Sequence, residues 1–275
     1  MRQLSGAIMG TAAWVLLAST AGAQGAKPLT KCAPDAVVAG SVCIDTYEAS
    51  VWRVPNPTGA NKGLVKKIQQ GKAAIADLAK GGATQLGTTS ADYAPCADTG
   101  QNCAKDIYAV SLVGVTPSAY VTWFQAQEAC ANSGKRLPTS AEWQVAANGS
   151  PDPGGDNGTT DCNTGNTLVV ASTGSRASCV SARGAFDMVG NLDEWVMDWV
   201  PHPTSCTGWG PAFSGDRVCL SSPADNTYGP GALLRGGGFT NLFGLTGGAD
   251  AGPLAVIGIF GPDSLASSIG FRCAR

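Results

Sequence analysis

The amino-acid sequence predicts an α+β domain with little regular secondary structure, held together by disulfides. Three observations lead there. Glycine (37) and proline (16) are abundant among 275 residues, which favours turns over a helical bundle or coiled coil. The ten cysteines form no Cys-x-x-Cys pair, so they read as a disulfide framework rather than a zinc ribbon or a redox dithiol. Two compact helix signals precede a long half rich in glycine, serine and asparagine.

The elements follow in order. Met1-Arg2, the apolar run Ala7 to Ala18 and the small-residue pattern Ala21-Gly22-Ala23 mark residues 1–23 as a secretory signal peptide. The apolar run is shorter than the about 20 residues of a membrane span. The chain is therefore expected to be secreted or periplasmic, with residues 24–275 as the mature domain. Val42 to Val54 reads as strand with a turn. Gly63 to Lys80 is a helical candidate, with Leu64, Ile68, Ile75 and Leu78 near helical spacing and Gly71 weakening it. Residues around 60–106 read as an insertion. Thr116 as N-cap and Pro117 at the first helical position predict a helix from there to Gly134. Thr139-Ser140-Ala141-Glu142 is a capping box that opens a second helix, ended by Asn148-Gly149. From Ser150 onward only short strand-like pieces are expected.

Composition excludes several function classes. The net charge is −2 and no basic run occurs, so nucleic acid is not an expected partner. His202 is the only histidine, which removes facial-triad iron and His-rich zinc sites. No Gly-x-Ser-x-Gly elbow accompanies it for a serine triad. The cysteine order suggests local loops Cys32–Cys43, Cys96–Cys103, Cys162–Cys179 and Cys206–Cys219, with Cys130 and Cys273 left over. Order alone does not fix this connectivity.

Five pieces then read together: Cys43-Ile44-Asp45-Thr46-Tyr47-Glu48-Ala49-Ser50; Val121-Thr122-Trp123-Phe124-Gln125-Ala126; Gly134-Lys135-Arg136-Leu137-Pro138-Thr139 with Glu142-Trp143; Phe186-Asp187-Met188-Val189-Gly190-Asn191-Leu192-Asp193-Glu194-Trp195; and Arg235-Gly236-Gly237 with Gly270-Phe271-Arg272-Cys273. Their order resembles the formylglycine-generating enzyme family, also called the sulfatase-modifying-factor family, from about Cys32 to the C-terminus. The resemblance implies a C-type-lectin-like fold and a bridge between Cys130 and Cys273. In members that make formylglycine, two thiolates hold copper(I), a soft-ligand preference. The matching positions here are Asn241 and Thr246, so no copper is expected.

The resemblance also implies structural calcium at Asn191 and Glu194, whose oxygens suit a hard cation, and a looser second site at Asn163. The alternative is a turn in which Asn191 takes a left-handed backbone and Glu194 pairs with an arginine. Trp123, Trp143, Trp195 and Trp199 read as core, with a sugar-stacking platform as the other possibility. The segment Arg235 to Ile269 corresponds to the ligand face of such folds, with Phe239, Phe243 and Phe260 looking exposed; the alternative is a plain surface loop. Asn241, Phe243 and Phe239 are the expected ligand-binding residues. The expected function is a non-catalytic secreted domain that binds a protein, glycan or surface ligand. An oxidative enzyme with altered chemistry and a structural envelope component are the alternatives.

Overall fold

The computed structural model describes residues 29–103, 106–165, 168–209, 215–220, 229–240 and 247–275. The expected signal peptide, Asn241, Phe243 and Thr246 lie outside the described residues. Strands β1 (Ala36–Ala39) and β2 (Val42–Asp45) form an antiparallel pair. Strand β3 (Ala49–Arg53) follows, then helices α1 (Lys62–Gln69) and α2 (Ile75–Lys80), then strands β4 (Thr84–Gln85) and β5 (Ile107–Ser111). The three strands pair in the order β4-β3-β5. Helices α3 (Trp123–Asn132) and α4 (Ser140–Ala147) come next. The second half supplies β6 (Asp193–Pro201), β7 (Thr207–Gly208), β8 (Arg217–Cys219), β9 (Pro230–Gly236), β10 (Gly252–Phe260) and β11 (Ile269–Phe271). They form one sheet in the order β11-β6-β9-β10-β8-β7.

The helical candidate from Gly63 to Lys80 is two helices. Gly71 divides them at φ +65°, and a Cβ there would lie 2.0 Å from Asp35 Oδ1, so only glycine fits the close approach. The helix expected from Thr116 begins instead at Trp123. Tertiary hydrogen bonds claim the backbone before it: Ser118 N bonds to Ala49 O (3.0 Å), and Tyr120 N to Ala266 O (2.9 Å). Thr122 is the N-cap, in a reciprocal box with Gln125. The helix stops where expected, with Gly134 at φ +68°. The capping box of Thr139 and Glu142 also opens α4 as expected.

The six-stranded sheet is the main departure from expectation. Its strands β6 and β10 are nine residues each, in a half expected to hold only short pieces. Glycine obscures β10, where a Cβ at Gly258 would lie 2.7 Å from Val200 Cγ2 on β6, whereas β6 itself contains no glycine. The largest apolar cluster lies where α3 meets this sheet and includes Val121, Ala126, Leu137, Trp195, Leu234 and Phe271. A second cluster seats Trp143 among Met188, Val196, Leu233 and Val256. A third joins α1 and α2 to β3 and β5 through Leu64, Ile68, Leu78, Trp52 and Tyr108.

All ten cysteines are bridged, as Cys32–Cys43, Cys96–Cys103, Cys130–Cys273, Cys162–Cys179 and Cys206–Cys219. Such a framework belongs with an oxidising compartment. Among the described residues no helix is long and apolar enough to cross a membrane.

Candidate functional site

Strand β11 runs parallel to β6, with Gly270 opposite Glu194 and Phe271 opposite Trp195. That register brings Arg272 to Glu194. Both carboxylate oxygens accept from Arg272, through Nε at 2.9 and 2.7 Å and Nη2 at 2.5 Å. Trp143 Nε1 also donates to Glu194, at 2.8 Å. The guanidinium further donates to the carbonyls of Asp45, Thr46, Phe186 and Asp187. Burial alone would lower the Arg272 pKa, but the attraction of Glu194 outweighs it and holds the group above its ordinary value.

Beside this pair, Asn191 sits at φ +61°. Its Oδ1 accepts from Ala171 N (2.8 Å) and Asn163 Nδ2 (3.1 Å), and its Nδ2 donates to Glu48. Glu48 also accepts from Leu192 N, at 2.9 Å. Burial, reinforced by Asp187 and Glu194, pushes the Glu48 carboxyl well above the usual range. Burial likewise raises Asp187 to about 6. The loop therefore takes the arrangement with a left-handed asparagine and an arginine-paired glutamate. Asn191, Glu194 and Asn163 do not fit a calcium shell: the Asn191 and Glu194 oxygens already face N–H donors, and Asn163 Oδ1 faces Arg176.

A second charged knot ties Lys135 and Arg275 to Asp35 and Asp45. Lys135 Nζ lies 2.7 Å from both Asp35 and Asp45, and Arg275 lies 2.7 Å from Asp35. Apart from the partly exposed Arg275, both knots are buried, so they hold loops and strands in register.

The accessible candidate is a cleft of about 400 Å³ lined by Gly155, Asp156, Thr164, Gly165, Leu168, Gly247 and Gly248. It adjoins the segment of Asn241 and Thr246 in sequence. Asp156 shapes one wall by accepting from the amides of Gly158 (2.6 Å), Thr164 (3.0 Å) and Gly165 (3.1 Å). Among the described residues the lining offers a carboxylate, a hydroxyl and glycine backbone, but no thiol, imidazole or amine.

The expected ligand residue Phe239 is not exposed. It packs with Ala119 and Leu192 at 7% exposure. Phe260 is buried too, in the largest cluster. Trp143 and Trp195 are core, as expected, whereas Trp199 is 42% exposed. Trp199 packs edge-on against Trp123 and Phe124 and borders a pocket of about 370 Å³ with Pro201, His202 and Pro230. Sequence reasoning missed the roles of Glu48 and Arg272, although both stand in quoted motifs. For Arg272 the available signal was a charge set among the apolar Phe271, Cys273 and Ala274.

The family profile described as sulfatase-modifying factor enzyme 1-like domain matches residues 89–275. The formylglycine-generating enzyme of Thermomonospora curvata is 29% identical over 188 residues, 58% of this chain and 55% of that protein. The serine/threonine-protein kinase Pkn1 of Chlamydia trachomatis is 29% identical over 163 residues, which cover 58% of this chain but 24% of the kinase. The matches thus span only part of these relatives. Among solved structures, Major Tropism Determinant U1 Variant aligns at a TM-score of 0.45 and 19% identity, covering 90% of this chain and 54% of its own. PvdO from Pseudomonas aeruginosa aligns at 0.40 and 18%, covering 87% and 82%. The disulfide-bonded α+β architecture is the C-type-lectin-like, formylglycine-generating-enzyme type, and the chain belongs to the sulfatase-modifying factor enzyme 1-like domain family.

Proposed function

We propose that this chain is a non-catalytic binding member of its family, exported to an oxidising compartment, with a protein, glycan or surface component as ligand. One observation carries the reading: every one of the ten cysteines is consumed by a disulfide. The family's copper chemistry needs a thiolate pair, and Asn241 and Thr246 stand at the matching positions. An amide and a hydroxyl bind copper(I) poorly and cannot carry the redox step. The glycine-walled cleft supports the same reading: among its described lining residues the polar side chains are Asp156 and Thr164, and none carries a thiol for the copper chemistry.

The test incubates copper-loaded protein with oxygen, a reductant and a peptide bearing Cys-x-Pro-x-Arg. Mass spectrometry reads conversion of the cysteine to an aldehyde. No turnover above a copper-only blank is expected, and clear turnover overturns the reading. In the double variant Asn241→Cys/Thr246→Cys, copper binding is expected to appear. Intact mass of the exported chain, with and without alkylation, checks processing near residue 23 and the absence of free thiols.

A further inference from the structure

Helix α1 makes a cationic wall that nothing described so far uses. Five of the nine lysines of this net-acidic chain fall within residues 62–80, with Asp77 as the one acid there. Lys67 is held by Asp77 at 2.5 Å, whereas Lys62 and Lys66, both exposed, make no ion pair among the described residues. These two lysines border a groove of about 700 Å³ whose other walls include Pro57, Val65, Tyr108 and Asn132. The groove is preformed, because Gln69 Nε2 donates to Asn132 O at 3.0 Å and ties α1 to the end of α3, while Asn132 Nδ2 donates to Ile107 O at 3.0 Å.

We infer that this groove binds an extended acidic peptide segment of a protein partner, with its carboxylates on Lys62 and Lys66. The spacing supports an extended chain: residues one helical turn apart lie about 6 Å from each other, and alternate residues of a strand lie about 6.6 Å apart. Alternating carboxylates therefore meet both lysines, and the apolar floor of Pro57 and Val65 takes an aliphatic side chain. Other anions fit less well. Tyr108 is only 4% exposed, so no ring face is offered for stacking a sugar or a base. The apolar side of α1 is turned inward, with Leu64 at 8% and Ile68 at 1% exposure, so the helix has no face to insert in a membrane. The groove wall on α1 precedes residues 89–275 that match the family, and the inference is independent of whether the family chemistry is absent.

The test uses the full mature chain and a fluorescent heptapeptide alternating Glu and Val, read by anisotropy at low and at physiological salt. Saturable binding that weakens with salt is expected. The double variant Lys62→Glu/Lys66→Glu should lose about tenfold or more in affinity, while the charge-matched Lys72→Glu/Lys80→Glu should stay within about twofold of the parent. Both variants alter exposed residues, and matching melting curves establish that each is folded. Equal loss in both variants, or no loss in the first, overturns the inference, as does the lack of any saturable binding. Equal binding of a peptide with the same residues in separate Glu and Val blocks refutes the spacing argument. Tighter binding of a sulfated oligosaccharide, competed at the same lysines, would assign the groove to a glycan instead.

Discussion

Arg272 and Asp216 show the two ways a buried charge is treated in this molecule. Arg272 is fully paired, so removing its partner is costly: Glu194→Gln leaves a buried guanidinium without its counter-charge and is expected to lower stability by about 3–5 kcal/mol, read by urea denaturation. Because the Glu194 carboxylate is committed to Arg272 and Trp143, a chelator is expected to leave the melting temperature of the parent unchanged. Asp216 is the opposite case. Its Oδ2 accepts from Leu254 N at 2.7 Å, but Oδ1 has no hydrogen-bond partner among the described residues. Burial raises its pKa from 3.8 to about 6. Between those values the native state holds a proton that the unfolded state has released. Stability from this group is therefore complete below about pH 4 and falls as pH rises to about 6. The variant Asp216→Asn lacks this titration. It should match the parent in pH dependence below about pH 4 and exceed it above pH 6, by about 1–2 kcal/mol after allowing for solvent screening. Parallel stability curves for the two proteins would refute this.

At the scale of elements, helix starts separate what local sequence decides from what packing decides. Two Thr-x-x-Glu/Gln boxes occur, at Thr139 and at Thr122, and both are N-caps. Thr116-Pro117 carries an equally good local pattern and caps nothing, because Ser118 and Tyr120 spend their amides on Ala49 and Ala266. Thr122→Ala and Thr139→Ala should each cost about 1–2 kcal/mol, and the exposed Thr116→Ala less than about 0.5 kcal/mol. Thermal melts of the three variants check the ranking, and a Thr116 effect as large as that of Thr122 would contradict the observed helix start. The same contrast explains which parts of the site were legible. The left-handed backbone at Asn191 and the pairing of Glu194 were readable as one of two local options. Their partners Glu48 and Arg272 lie 143 and 78 residues away along the chain, a distance that no local spacing encodes. The cleft lined by Gly155, Gly165 and Gly248 was illegible for another reason: glycines carry no side-chain pattern, and their role there comes from where the fold brings the backbone.

For the whole molecule, the C-terminal residues are fastened to the rest of the domain several times over. Cys130–Cys273 closes a separation of 143 residues. Cys43 and Arg275 exchange backbone hydrogen bonds at 3.0 and 2.8 Å, Arg136 and Ala274 do so at 2.9 and 2.7 Å, and Arg275 reaches Asp35. The bridge acts on the unfolded chain, where a loop of this length removes about 5 kcal/mol of conformational freedom in the entropy model. The hydrogen bonds and ion pairs act on the folded state and remain when the bridge is cut. The double variant Cys130→Ala/Cys273→Ala is therefore expected to fold to the same structure but to lose about 3–5 kcal/mol. Hydrogen exchange should then show the amides of Ala274 and Arg275 still protected up to the lowered global stability, because β2 and Arg136 continue to pair with them. Fast exchange at these two amides in an otherwise protected domain would show instead that the bridge alone holds the C-terminus in place. The lysine knot shares this docking, because Cys273 N donates to Asp45 and Arg275 to Asp35, the two carboxylates that Lys135 also holds.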